Sequence, residues 1–409
     1  MLGSFIGPRA GRETFLRAKI AELSLNLDKL DSLHAQHALL ILRLSYQQKL
    51  RHLQRCLDTS DLGHVWAELD TALWNSIISL RSSDGDHRFQ DEIMSLPIRS
   101  GGMGILSHEE VAPIARAAAD EMADITLKSL LEPDEWEQEG AAEKVVGQSE
   151  RCLVVLDARR EVLLAKLTDK ERKGMRENGS PLGRLWLSAI PWTKALQLTN
   201  QQISVALHYR TLLPLSNHCN RCGKDGQGLG HPETCNIDGK YPRHNMVVRG
   251  IGQTLSSVRG VKVELEPTST EESLRRNDLR VWGSDGSGLA TSEHDIKVYS
   301  IFSESALSSF GKDPQHPVSS TSTTPIWDQI AAQMDRYLRA VAAKTRENAP
   351  SGIGKFSAVV MTSGGFMEKD TKKQMDAWEE GVKDWEWAAL LRGLSLGFVR
   401  ARARSVTWE

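Results

Sequence analysis

Two aspartates and a lysine pose the first chemical question in this chain. Asp278 and Asp295 flank a turn-forming stretch, Asp285-Gly286-Ser287-Gly288, and Lys297 follows the second aspartate by two residues. Leu279, Val281 and Trp282 on one side, and Ile296, Val298 and Tyr299 on the other, suit strands, while glycine supplies the positive φ of a tight turn. The midpoint between the aspartates falls between Gly286 and Ser287. An antiparallel hairpin with a two-residue loop at that point sets the carboxylates directly opposite one another and puts Lys297 on the face of Asp295. Carboxylates so opposed resist joint ionisation unless a cation lies between them. A divalent metal meets that need. The plainer alternative is a pair of surface acids beside a turn, with Lys297 as an ion-pair partner of small energetic value.

A second cluster lies upstream. Cys219 and Cys222 are separated by two residues, His231 follows after eight more, and Cys235 after a further three. Thiolate and imidazole ligands at these spacings suit a tetrahedral Zn²⁺, and the glycines between them let a short loop wrap the ion. All four ligands come from the chain, so this zinc is expected to be structural. Cys56 and Cys152 stand alone in helical sequence and read as buried free thiols.

Several elements have to position these groups. From Arg12 to about Arg55 the chain is rich in Leu, Ala, Lys, Arg and Gln, with Leu39, Leu42, Tyr46, Leu50 and Leu53 recurring at steps of three and four. Helices are expected there, from Leu62 to Leu80 and from Glu109 to Leu131. Between the last two, the run from Leu96 to Ile105 holds one Pro and three Gly and reads as a tight backbone passage. A charged helix from Ala141 to Lys173 is expected to be broken by Gly174 and the Asn178-Gly179-Ser180-Pro181 run after it, and Thr199 to cap a helix that runs to Leu213. Beyond the cysteines, Arg243-His244-Asn245 opens a helix through about Val258, with Val247, Ile251 and Leu255 on one face.

A strand follows in which Val261, Val263 and Leu265 alternate with Lys262, Glu264 and Glu266, so both glutamates point the same way. After the hairpin and a Ser/Thr linker, Thr324-Pro325 starts a helix striped by Ile330, Met334, Leu338 and Val341. Phe356 to Met361 reads as a strand, and a last helix from Thr371 carries Trp378, Val382 and Trp385 on one face. Arg400, Arg402 and Arg404 alternate near the C-terminus and could track phosphates, but a solvated tail is the simpler expectation. The order from Asn245 is helix, three strands, helix, strand, helix.

Composition narrows the classes. The chain has 409 residues, 40% of them hydrophobic, enough for more than one core. A net charge of -2 means that any binding to nucleic acid must come from local patches. Neither a signal peptide nor an apolar run long enough to span a bilayer is evident, so an intracellular chain with no membrane partner is expected. Nothing points to a small-molecule substrate.

Asn277-Asp278, sixteen residues, then Asp295-Ile296-Lys297 resembles the PD-(D/E)xK nuclease motif, with Asn in place of Pro. The element order agrees with that fold. With a Cys-Cys-His-Cys knuckle just upstream, the chain resembles the C-terminal region of non-LTR retrotransposon reverse transcriptase proteins that carry a restriction-like endonuclease. Leu2-Gly3 to Gly7, the long helices after it and the Leu96 to Gly104 passage resemble the thumb and connection that follow the polymerase palm. The resemblance implies an α+β chain: thumb-like helices over residues 1–135, a helical linker region over 136–214, a zinc knuckle over 215–240 and a nuclease-like α/β domain over 241–409.

It further implies that Asp278 and Asp295 hold catalytic Mg²⁺, that Lys297 assists, and that Glu266, or else Glu264, adds a carboxylate. Arg243, His244, Arg275 and Arg276 would meet nucleic acid, and Arg336-Tyr337 matches a downstream basic-Tyr pair. The expected partners are target DNA and element RNA, the place of action the nucleus, and the product a nick that primes reverse transcription. No aromatic-x-Asp-Asp polymerase motif occurs, so the chain is expected to be a piece of a longer element protein, or a truncated copy, that does not polymerise by itself. The other expectation is a non-catalytic remnant that still grips nucleic acid.

Overall fold

Leucines spaced at three and four residues build the first part of the chain. The computed structural model describes residues 4–82, 88–131, 147–213, 230, 234, 240–267, 276–283, 289–311, 318–319, 321–349 and 355–404. Helix α1 (Arg9–Leu27) buries Leu16, Ile20, Leu23 and Leu27 on one side. It packs on α4 (Gly63–Arg81), whose inward stripe is Val65, Trp66, Leu69, Leu73 and Ile77. Short helices α2 (Ala35–Leu44) and α3 (Arg51–Cys56) add Leu39, Leu42 and Leu53, and after α5 (Gln90–Ser95) the long α6 (His108–Leu131) packs on α3 and α4. Helix α7 (Gln148–Lys166) follows, with Cys152 and Leu156 packed against Val111 of α6.

The chain divides into two compact units, Met1–Pro97 with Gly102–Leu163, and Ile98–Gly101 with Leu164–Glu409. The Leu96 to Ile105 passage is a tight turn, as its glycines suggest. Gly101 has φ +85°, and a Cβ there would fall 2.3 Å from the Met175 carbonyl oxygen. Any side chain is excluded on both counts.

The second unit begins with α8 (Asp169–Asn178). Gly174 does not break a helix here, because it lies buried within α8; the break comes at Thr168. The Thr168 hydroxyl accepts the Glu171 N–H at 3.3 Å and the Glu171 carboxylate accepts the Thr168 N–H at 2.7 Å, a reciprocal cap that starts a new helix. Helix α9 (Pro181–Arg184) and α10 (Asn200–Arg210) follow; α10 has a second such cap, from Thr199 and Gln202, and stops short of Leu213, with Leu212 at φ +59°.

A four-stranded mixed sheet lies beyond. Helix α11 (Lys240–Ser256) precedes β1 (Lys262–Leu265), β2 (Leu279–Trp282) and β3 (Ser292–Tyr299). Helices α12 (Glu304–Gly311) and α13 (Ile326–Glu347) cross to β4 (Phe356–Thr362), and α14 (Lys369–Glu379) and α15 (Asp384–Arg404) end the described chain. The sheet order is β1-β2-β3-β4, antiparallel across the first two pairs and parallel between β3 and β4. The fold is therefore mixed α+β, largely helical, and the observed order differs from expectation by a second helix on either side of β4.

One face of the sheet is the core. Leu279, Val281, Ile296, Val359 and Met361 pack with Val247, Ile251 and Leu255 of α11 and with Trp378, Trp387, Leu390 and Leu394 of α14 and α15. The C-terminal stripe breaks where α14 ends: Trp378 and Val382 are buried, but Trp385, in the first turn of α15, is 66% exposed and Trp387 takes the inward place. Arg402 is not in a solvated tail. It is buried against Glu177 of α8 at 2.8 Å, with its guanidinium 4.4 Å over the Tyr209 ring. Cys152 is buried as expected, whereas Cys56 is exposed at the end of α3. Among the described residues no helix is long and apolar enough to cross a membrane.

A candidate carboxylate site between the central strands

Strands β2 and β3 pair Leu279 with His294, Arg280 with Glu293 and Val281 with Ser292. Carried one step further, that register sets Asp278 opposite Asp295. The link between the strands is Gly283 to Thr291, longer than a two-residue turn, yet it keeps the register of one. At Asp278 the ladder parts. The Asp278 N–H reaches the His294 carbonyl at 3.0 Å, and the Asp278 carboxylate takes the Ile296 N–H through Oδ2 at 2.6 Å, standing in for a missing backbone acceptor.

Alternation along β3 then sorts its side chains. Ile296 is fully buried on the core face, while Asp295, Lys297 and Tyr299 are half-buried on the other. Lys297 Nζ lies 2.6 Å from Asp295 Oδ1. From the N-terminal part of α11, His244 brings Nε2 to 3.0 Å from Asp278 Oδ1. Both Asp278 oxygens are thus held, one by a main-chain N–H and one by an imidazole.

Electrostatics split the two carboxyls. Burial pushes both upward, but at Asp278 the hydrogen bonds with His244, Asp295 and the Ile296 N–H outweigh it and hold the acid below its ordinary range. Asp295 is raised, to about 6, by burial and by its hydrogen bond with Asp278, against the pull of Lys297. The pair behaves as two acids sharing one proton. The hydrogen bond to Asp278 raises His244 despite burial. On the neighbouring α13, Tyr337 meets the Tyr299 ring edge to face at 6.5 Å, and burial pushes the Tyr299 hydroxyl upward.

The remaining candidates fall in different places. Glu266 lies just past β1, exposed, with φ +49° and its N–H on the Asp278 carbonyl at 3.0 Å; no polar contact ties its side chain to the aspartates. Glu264 pairs instead with Arg280 at 3.7 Å. Arg243 is buried, 4% exposed, so its guanidinium does not face solvent, whereas Arg276 is exposed. Arg275 and the zinc candidates Cys219, Cys222, His231 and Cys235 lie outside the described residues. Asn277 is buried and donates to Glu293, which also pairs with Arg280. That buried Glu293 was missed in the sequence; its alternation with Asp295 and Lys297 was the available signal.

Two other clusters contain a buried histidine. His294 is buried on the core face, between the hydroxyls of Ser292 at 2.9 Å and Ser357 at 2.7 Å, and burial drives its imidazole down to about 3. It is a neutral core residue. In the first unit Asp70, Ser107 and His108 have the composition of a nucleophilic triad, but Ser107 Oγ donates to Asp70 at 2.7 Å and not to the histidine. Asp70 also accepts the N–H groups of His108 at 2.7 Å and Glu109 at 3.1 Å, so the cluster caps α6.

The chemistry of the Asp278/Asp295 pair suits a hard divalent cation: two opposed carboxylates supply oxygen donors, and a cation between them would offset the repulsion that raises Asp295. Among the described residues no group of three or more His, Cys, Asp and Glu side chains is gathered to hold a metal ion. The two aspartates would be its protein ligands. No family model matches the chain, and no curated protein matches it.

Proposed function

We propose that the second unit is a Mg²⁺-dependent DNA endonuclease of the PD-(D/E)xK type, from the C-terminal region of a non-LTR retrotransposon protein, acting in the nucleus on target DNA. One observation carries the reading: Asp278, just before β2, faces Asp295 in the middle of β3, with Lys297 on the same face at 2.6 Å from Asp295. Element order and the upstream Cys-Cys-His-Cys spacing support it, the latter as the holder of a structural Zn²⁺.

When bound, the divalent ion supplies Lewis acidity at a phosphoryl oxygen and makes water a better nucleophile. The chain's own groups do the rest. Asp278 and Asp295 would hold the ion through their carboxylate oxygens. His244 and the Ile296 N–H keep the Asp278 carboxylate from rotating, a positioning role that replaces the direct nucleic-acid contact expected of His244. Lys297, already on Asp295, offers its ammonium to the charge that grows on the phosphate in the transition state. Arg276 is the exposed cation nearest in sequence to Asp278 for a flanking phosphate.

The test is nicking of supercoiled plasmid by the purified chain in Mg²⁺, with EDTA and Asp295→Ala as controls. Nicking that needs the metal and disappears in the variant supports the assignment; nicking unchanged in Asp295→Ala overturns it. A second reading, a non-catalytic nucleic-acid-binding remnant, is favoured by one observation: both Asp278 oxygens and one of Asp295 already have hydrogen-bond partners within the protein. Binding that weakens with salt, without cleavage, is its signature.

A further inference from the structure

The face that carries Asp295 and Lys297 does not stop there. Tyr299 comes next on the same side of β3, about 6.6 Å beyond Lys297 and about 13 Å beyond Asp295 at ordinary strand rise. Across the sheet, Asp295, Lys297 and Tyr299 pair with Ala358, Val360 and Thr362 of β4. Helix α13 packs on β4 and from it Tyr337 reaches Tyr299, the rings 6.5 Å apart at 89°. The carboxylates and the lysine therefore continue into an aromatic pair, half-buried, at a spacing close to the repeat of an extended polynucleotide strand.

The position is unusual for a phosphate contact. Where a second phosphate would be expected to call for a cation, the chain presents a neutral ring whose hydroxyl has no hydrogen-bond partner among the described residues. A ring held edge to face by a neighbour keeps its orientation fixed, which suits stacking by a planar group. Bases have such faces, but inside a duplex both faces of each base are already stacked; an aromatic side chain gains one only when the base is unpaired or extruded.

We propose that Tyr299, backed by Tyr337, is a stacking subsite for the nucleobase flanking the scissile phosphate, so that the preferred substrate carries an unpaired or extruded nucleotide at that place. The subsite rests on the nuclease reading. It adds to it a substrate class: DNA that is single-stranded, bulged or distorted next to the cut.

The experiment uses the full chain with Mg²⁺ on an end-labelled duplex carrying a three-nucleotide bulge and on the same duplex fully paired, with the cut mapped on each. The bulged duplex is expected to be nicked about tenfold faster or more, and Tyr299→Leu to bring that rate down to the paired rate. Tyr299→Phe keeps the ring and is expected to keep the preference. On the native chain, an abasic residue in place of the flanking nucleotide should copy the effect of Tyr299→Leu, and the two changes together should do no more than either.

Equal slowing of both duplexes by Tyr299→Leu, or a Tyr299→Phe chain as impaired as Tyr299→Leu, would overturn the subsite. So would nicking by the native chain that ignores the bulge and the abasic residue, and in that case the nuclease reading stands. If the native chain nicks neither duplex in a metal-dependent way, the nuclease reading and the subsite fall together.

Discussion

At neutral pH Asp278 and Asp295 have to carry two negative charges across one strand gap, and this lowers the stability of the fold. The Asp295 carboxyl, ordinarily at 3.8, is raised to about 6 in the fold by burial and by Asp278. Between those values the folded chain binds more protons than the unfolded one, so stability falls as pH rises through the window and stays reduced above it. His244, raised by its Asp278 hydrogen bond, acts the same way: its contribution is whole below the ordinary imidazole value and is lost as pH rises through the higher one. Asp295→Asn is therefore expected to melt higher than the native chain at pH 7.5 in EDTA, by about 1–2 kcal/mol after solvent screening, and to lose that advantage by pH 4. Thermal melts at the two pH values check this, and an advantage that persists at pH 4 counts against a shared proton. His244→Ala should weaken Mg²⁺ binding by about tenfold or more, because Asp278 is then held only by the Ile296 N–H; calorimetric titration reads it without any turnover. Hairpin symmetry made the Asp278/Asp295 opposition legible in the sequence. The His244 contact was not, since it depends on how α11 crosses the sheet.

Helix and strand types were largely legible because the chain's apolar periods are clear, as with Val247, Ile251 and Leu255 in α11 or Val359 and Met361 in β4. Boundaries were less so. Gly174 looked like a breaker and proved to be a helix interior residue, while the Thr168-x-x-Glu171 cap two residues after α7 carried the break. Arg402 looked like a tail residue because one residue in three or four on an arginine-rich helix gives no hint of a partner more than two hundred positions away. It locks α15 to α8: Arg402 pairs with Glu177 Oε2 at 2.8 Å, and Glu177 Oε1 accepts the Gly364 N–H at 2.9 Å, all buried. Arg402→Met takes from the buried Glu177 the guanidinium that faces it, and is expected to destabilise the second unit by about 3–5 kcal/mol in urea unfolding. Glu177→Gln in the same chain removes the stranded charge and should restore part of the loss. A double variant as unstable as Arg402→Met alone would mean that the charge is not what the arginine balances.

The second unit is not one continuous stretch of chain, and this could not be read from composition, which shows no shift at Ile98. Residues Ile98–Gly101 belong to it, although they come before α6 and α7 in sequence. Their attachment is specific. The buried Arg210 guanidinium donates to the Ile98 carbonyl at 2.7 Å as well as to the carbonyls of Asn178 and Gly183, and Gly101 lies against the Met175 carbonyl with no room for a side chain. A fragment that starts at Leu164 would contain the whole described sheet and both aspartates, yet would leave that Arg210 donor without its Ile98 acceptor. Losing the acceptor of a buried charged donor costs about 1–3 kcal/mol, so the fragment is expected to melt below the corresponding transition of the full chain by roughly that amount. Arg210→Met in the full chain should reproduce much of the deficit, because the carbonyls it served are stranded in turn. If the fragment melts with the full chain while Arg210→Met does not, the Ile98–Gly101 segment contributes nothing to the second unit, and its place there is packing without consequence.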